Sequence, residues 1–164
     1  MNNNPLLSTY LQAYRWNRQR TLATLEQMGA DQPSLILGWR PGPGRAHPAW
    51  QFMHIAVTED IFATERLKPE QPPTLAALWS RFRGGSTPDE QIPTIDEIRQ
   101  ALEVSRNNLE ATLSSYTDER LTEIPAALRE RGWSVLTVLQ VIGWHEAHHQ
   151  GQAHLTYNLF KNRG

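Results

Sequence analysis

The segment Gly143-Trp144-His145-Glu146-Ala147-His148-His149-Gln150-Gly151-Gln152 places three of the chain's six histidines within five residues. His145 and His149 are four apart, so on a helix they stand one turn apart on one face and can hold a single metal ion between them. Two ligands leave a site incomplete, and the third must come from another element.

A helix turns about 100° per residue, so Val138, Ile142, His145, His149, Gln152 and Thr156 fall within roughly 80° of one another. The outer members of this stripe are residues that a packed helix buries, and the two histidines therefore point inward. His148 and Glu146 lie off the stripe on opposite sides, although an i,i+3 pair of His145 with His148 is also allowed. His54 sits between Trp50 and Val57 on the apolar face of an earlier segment. Alone, it reads as a core histidine whose nitrogen is satisfied by a backbone or side-chain acceptor. Beside a buried pair it becomes a third ligand, because each unpaired buried polar nitrogen costs about 1–3 kcal/mol and a shared cation satisfies one on each ring. Three imidazoles leave coordination positions open, which is the catalytic arrangement rather than the closed structural one.

Other residues have more than one reading. Glu146 can orient a ligand histidine or shuttle a proton, and is equally a solvated helix residue. Gln152 can hydrogen-bond within the site, and Gly151 can admit a neighbouring helix. His47, before Pro48 at a helix start, is expected to be exposed, and His154 falls off the metal stripe. His145-Glu146-Ala147-His148-His149 also fits H-E-x-x-H, in which a glutamate activates water on zinc. The longer forms of that signature are incomplete: Gly151 and His154 each fall one residue short, and no Asp or Glu follows His149.

Four long helical tracts must position these groups. The first runs from about Pro5 to Gly29, with Leu6, Tyr10, Ala13, Trp16, Asn17, Arg20, Leu22 and Leu25 as its stripe and Gly29 as a C-terminal cap. Gly38-Trp39-Arg40-Pro41-Gly42-Pro43-Gly44-Arg45 is a loop. The second starts at His47-Pro48, presents Trp50, His54, Val57 and Ile61, and fades by Leu67. A short amphipathic piece, Thr74 to Phe82, lies inside the long connection 69–93. Thr94-Ile95-Asp96-Glu97 is a capping box opening the third helix, whose stripe Ile98, Leu102, Ser105, Leu109 and Leu113 continues to about Tyr116. A connection over 117–133 leads to Ser134, which caps the last helix to about Lys161. Loops 30–46 and 67–93, carrying Trp39, Arg40, Arg45 and Trp79, can shape a pocket mouth. The expected fold is an all-α bundle of one domain, residues 1–164, with long connections between its second and third and its third and fourth helices.

Lys and Arg number 16 against 17 Asp and Glu, so no basic field suggests nucleic acid. The chain has no cysteine, which removes disulfides, thiolate ligands and a cysteine nucleophile. No window approaches a membrane span and Met1–Pro5 has no signal-like region, so the expectation is a cytoplasmic protein without membrane association.

Trp50-Gln51-Phe52-Met53-His54-Ile55 together with His145-Glu146-Ala147-His148-His149-Gln150-Gly151-Gln152 resembles the DinB-like (damage-inducible) superfamily, including its YfiT-type metal-dependent members. The resemblance extends over essentially the whole domain. It implies a four-helix bundle with up-down-down-up wiring and a divalent ion, commonly zinc or nickel, held by His54, His145 and His149. It also implies a small-molecule substrate and, in some relatives, a low-molecular-weight thiol as co-substrate. The expectation is a metal-dependent hydrolase or thiol-dependent transferase, possible also as a homodimer. The alternatives are a non-catalytic metal-stabilised binding or dimerisation module and a bundle whose histidines simply hydrogen-bond.

Overall fold

The computed structural model describes residues 4–30 and 32–163. Six α-helices are present among the described residues: α1 (Pro5–Ala30), α2 (Pro33–Ile36), α3 (Pro48–Ile61), α4 (Ala76–Phe82), α5 (Ile95–Leu113) and α6 (Val135–Lys161). There is no strand among the described residues. α3 runs directly into a π-helical stretch, Phe62–Arg66. Two 3-10 segments, Asp118–Thr122 and Ala126–Arg131, occupy the connection before α6. No described helix is long and apolar enough to cross a membrane.

Local chemistry sets the boundaries of these elements. Thr94 and Glu97 form the reciprocal capping box at α5, with Thr94 N donating to Glu97 Oε2 at 2.7 Å and Glu97 N to Thr94 Oγ1 at 3.2 Å. Ser134 accepts from Thr137 N at the start of α6. Gly132, at φ +65°, makes the left-handed turn that ends the preceding segment. Gly29 is not the cap of α1, which continues through Ala30. A Cβ at Gly29 would lie 2.7 Å from Ile95 Cδ1, so this glycine serves close packing against the start of α5.

Hydrogen bonds between helices give their directions. Tyr14 Oη donates to Leu139 O, Asn17 Nδ2 to Gly143 O and Gln150 Nε2 to Thr24 Oγ1, so α1 and α6 run the same way. Ser105 Oγ reaches Glu59, Thr112 Oγ1 reaches Ala63 O and Tyr116 Oη reaches Leu67 O, so α3 and α5 also run the same way. Arg15 pairs with Glu110, Arg18 Nη1 donates to Leu102 O and Arg99 pairs with Glu26, which sets α5 antiparallel to α1. Across α3 and α6, His54 faces His145 while Gln51 faces Gln152, again antiparallel.

The core is split into two apolar layers. One gathers Leu25, Met28, Phe52, Ile98, Leu102 and Tyr157, and the other Tyr14, Leu109, Leu113, Val138, Leu139 and Ile142. On each long helix a charged residue lies between the two layers: Arg18 on α1, Glu59 on α3, Arg106 on α5 and Glu146 on α6.

The expected stripe on α1 holds in part: Leu25 is buried in the core, with Leu22 and Tyr10 packed against it. Leu6 and Trp16 are exposed, Trp16 to 65%, whereas Leu7, Tyr14, Arg18, Thr21, Thr24 and Met28 are buried. The buried face is half polar because it must satisfy carboxylates from α3 and α6. A search for apolar residues therefore misplaces Leu6 and Trp16 and passes over Arg18, Thr21 and Thr24. The α5 stripe lies where periodicity puts it, with all five residues buried.

Candidate metal centre and its buried ion network

Most of α3 is buried: all of its residues except Thr58 and Ile61 pack against neighbours. His54 therefore has little choice of environment. Its ring stacks on Trp50 at 4.5 Å between centroids and 14° between planes. Its Nδ1 lies 2.6 Å from the carbonyl of Phe82, the last residue of α4. A carbonyl can only accept, so Nδ1 carries the hydrogen and Nε2 presents its lone pair. That lone pair faces α6, where His145 Nε2 lies at 3.0 Å and acts as the donor.

His149 is held in the same manner from the other side. Gln51 Nε2 donates to Gln152 Oε1 at 2.9 Å, leaving Gln51 Oε1 to accept from His149 Nδ1 at 2.5 Å. With Nδ1 protonated, Nε2 of His149 is also a lone-pair donor. A ligand histidine is commonly fixed in this way, by an acceptor on the nitrogen that does not face the ion. Gln152 thus acts one step removed, through Gln51, and its own Nε2 lies 2.6 Å from the exposed His148.

One nitrogen from each of His54, His145 and His149 lies within 4.8 Å of the others. Zinc bound at about 2.0–2.1 Å sets tetrahedral ligand nitrogens roughly 3.3 Å apart, a spacing within the reach of small side-chain rotations here. Burial keeps the rings neutral, as coordination requires. Desolvation, reinforced by the neighbouring histidines, pushes His145 down to about 3 and His149 down to about 2. His54 is also lowered, again by burial, against the opposing hydrogen bond to Phe82. The three-histidine group can therefore hold a metal ion.

This geometry meets a family match. The family model of the DinB superfamily matches residues 13–153, which include all three histidines. The chain belongs to the DinB superfamily. No curated protein and no solved structure matches it.

Glu146 is not a solvated helix residue: it is 1% exposed, and its side chain turns away from the histidines. Its Oε1 accepts from Arg18 Nε at 2.7 Å and Thr21 Oγ1 at 2.9 Å, and its Oε2 from Arg106 Nη2 at 2.5 Å. Glu59 meets the same two arginines. Arg18 Nη2 bonds both of its oxygens at 2.9 Å, Arg106 bonds Oε1 through Nε and Nη2, and Ser105 Oγ adds a bond to Oε2. The remaining guanidinium nitrogens donate to Leu102 O and Tyr14 O. Two carboxylates and two guanidiniums, one from each long helix, form a closed and neutral set. Both oxygens of Glu146 are thus engaged by donors on α1 and α5. The H-E-x-x-H string therefore lacks here the free glutamate that a zinc protease needs.

His47 is buried, at 1% exposure, and not exposed as its position beside Pro48 suggested. It is the N-cap of α3: Nδ1 accepts from Trp50 N, and Nε2 donates to Asp89 O. Gly151 admits no neighbouring helix, since nothing lies within 4 Å of a Cβ placed there. The close approach on α6 is at Gly143, where a Cβ would meet Tyr14 Cε1 at 3.3 Å. His148 stacks on Trp144, and both are exposed. Trp39 packs edge-on against Phe160, and Arg40 ties to Pro88, Asp89 and Glu90, so these two brace loops.

Sequence periodicity gave no warning of Asp60. Fully buried, it accepts from Thr74 N and Oγ1, Leu75 N, Trp79 Nε1 and Asn108 Nδ2. It thereby anchors the start of α4, and α4 ends at the carbonyl that orients His54. An adjacent Glu59-Asp60 pair in an otherwise apolar helix was the available signal.

Proposed function

We propose that this protein is a metal-dependent enzyme acting on a small molecule, with a divalent ion, zinc or nickel, held by His54, His145 and His149. The observation that carries the reading is the convergence of their nitrogens, with Nδ1 of His54 and of His149 each tied to an acceptor so that Nε2 faces inward. When bound, such an ion supplies Lewis acidity sufficient to ionise a water or an external thiol near neutral pH. The chain itself contributes no thiol.

The protein's own residues do the positioning. Phe82 O and Gln51 fix two rings, Trp50 covers one face of His54, and the four-helix ion set fixes the rotation of α6. On the far side, a cavity of about 350 Å³ opens beside His54 and His145 and is walled by Phe62, Leu128, Trp133 and Val141. That space is of the size that small-molecule sites occupy. It favours an enzyme over a metal-stabilised module closed by a fourth protein ligand. Glu146 serves as a structural anchor in this reading and takes no part as a proton carrier.

Elemental analysis of untagged protein tests the proposal. About one divalent ion per chain is expected, lost in His54→Ala and His149→Ala and retained in His148→Ala. Hydrolysis and thiol-transfer screens with that metal then test catalysis. No ion after reconstitution with zinc and nickel would leave a hydrogen-bonded histidine cluster and sink the metalloenzyme reading. A full complement of metal without turnover in either screen would favour the binding module.

A further inference from the structure

The cavity beside His54 and His145 has a one-sided charge. Three arginines, Arg66, Arg83 and Arg131, line it, and none of its lining residues is acidic. Arg66 is already paired with Glu65 at 2.9 Å. Arg83 and Arg131 are exposed and have no carboxylate partner among the described residues. Arg131 lies over the Trp133 ring at 5.1 Å, which orients its guanidinium without neutralising it. Arg83 follows Phe82, whose carbonyl holds His54, and precedes Gly84, where a Cβ would lie 3.9 Å from His54 Cε1. The segment that fixes the histidine therefore also delivers a free cation to the rim of the same space.

Elsewhere in this chain buried or half-buried arginines are matched: Arg18 and Arg106 by Glu59 and Glu146, Arg81 by Asp89 and Arg40 by Glu90. Arg83 and Arg131 are exposed and unpaired, as Arg20, Arg45 and Arg129 are, but these two line one cavity together with His54 and His145. A planar guanidinium offers paired N–H donors that suit carboxylate and phosphoryl oxygens.

We propose that this cavity binds an organic anion, a carboxylate or phosphoryl group on an apolar body, with Arg83 and Arg131 holding the charged end. Phe62, Leu128, Val141 and Trp133 receive the apolar body, and the bound molecule lies against His54 and His145. This deepens the proposed function by naming its substrate class, and it rests on that reading only for the chemistry that follows binding.

The test is isothermal titration calorimetry of full-length, EDTA-treated protein with benzoate, phenylphosphonate and neutral benzyl alcohol. Removing metal prevents direct ligation from imitating the arginine contacts. At least one of the two anions is expected to bind about tenfold or more tightly than the alcohol, the worth of a charge-assisted contact. The preferred anion identifies carboxylate or phosphoryl as the natural group. Arg83→Gln and Arg131→Gln are each expected to weaken anion binding about tenfold while the alcohol is unaffected. Arg20→Gln, on the exposed side of α1, should match the wild type. The inference is overturned by anions binding no better than the alcohol, by no anion binding at millimolar concentration, or by a double arginine variant that binds as the wild type does. Anion binding through Arg83 in a protein that never takes up zinc would keep this inference while defeating the metal reading, and metal uptake without anion selectivity would do the reverse.

Discussion

Arg106 Nη2 lies 2.5 Å from Glu146 Oε2, one residue along α6 from the candidate ligand His145. The carboxylate is committed to the four-helix ion set, which fixes α6 in rotation and register. Breaking one partner of a buried ion pair leaves an uncompensated charge and costs about 3–5 kcal/mol. Glu146→Gln is therefore expected to lower unfolding free energy by roughly that much, read by urea denaturation. Glu59→Gln should cost a similar amount, because it strands the same two arginines. A Glu146→Gln protein of wild-type stability that has lost only turnover would reverse this and make Glu146 a catalytic residue.

The difference between what the sequence discloses and what it hides lies in this same network. The three histidines are legible because two share a helical face four residues apart and the third sits on an apolar stripe. The capping box and Ser134 are legible because capping depends on neighbours within three residues. Arg18, Glu59, Arg106 and Glu146 are not legible singly, since each looks like an ordinary surface charge until its partners on the other helices are in place. The solvated alternative for Glu146, and the choice of Leu6 and Trp16 for the α1 core, are two forms of one error: taking polarity as a measure of exposure. His47 adds the smaller case of a polar side chain buried because it caps a helix.

Gln51 is expected to tune the metal centre without touching the ion. Its Oε1 accepts from His149 Nδ1 at 2.5 Å and so sets which nitrogen faces inward. Losing such an outer partner commonly lowers metal affinity about 10–100-fold. Gln51→Leu should show this in a zinc competition titration against a chelator, with ion stoichiometry still near one per chain at saturating metal. Unchanged affinity would mean that α6 packing alone orients His149.

The acid side of the stability profile should carry the histidine signature. In the unfolded chain a histidine titrates near 6.5. Burial, reinforced by neighbouring imidazoles, holds His145 down to about 3 and His149 down to about 2 in the fold. Between those values the unfolded state binds protons that the folded state refuses. Stability is thus fully present above pH ~6.5 and declines as pH falls toward the folded values. For Glu59, burial raises the carboxyl, but Arg18 and Arg106 outweigh it and hold it low, so its own contribution is lost only below the unfolded carboxylate range of about 4.3. Metal-free protein should therefore melt at a lower temperature at pH 5.0 than at pH 7.5. In His145→Ala/His149→Ala that difference should shrink. An equal pH dependence in both proteins would assign the acid sensitivity to other groups.

Asp60 links loop order to the metal centre, and its replacement should be felt at both. The carboxylate gathers Thr74 N, Thr74 Oγ1, Leu75 N and Trp79 Nε1, which seats the first turn of α4 against α3. Asp60→Ala leaves donors at the exposed Thr74 and the half-buried Leu75 and Trp79 without their acceptor, at about 1–3 kcal/mol for each that water cannot reach. Since α4 ends at Phe82, whose carbonyl holds His54 Nδ1 at 2.6 Å, loosening its start also frees that ring. Two readouts should move together: the unfolding midpoint falls, and zinc affinity drops while His145 and His149 remain intact. Tryptophan fluorescence should change as well, because the Trp79 indole loses its acceptor. A variant that is destabilised yet binds zinc as tightly as the wild type would separate the two. It would show that stacking on Trp50 is enough to place His54.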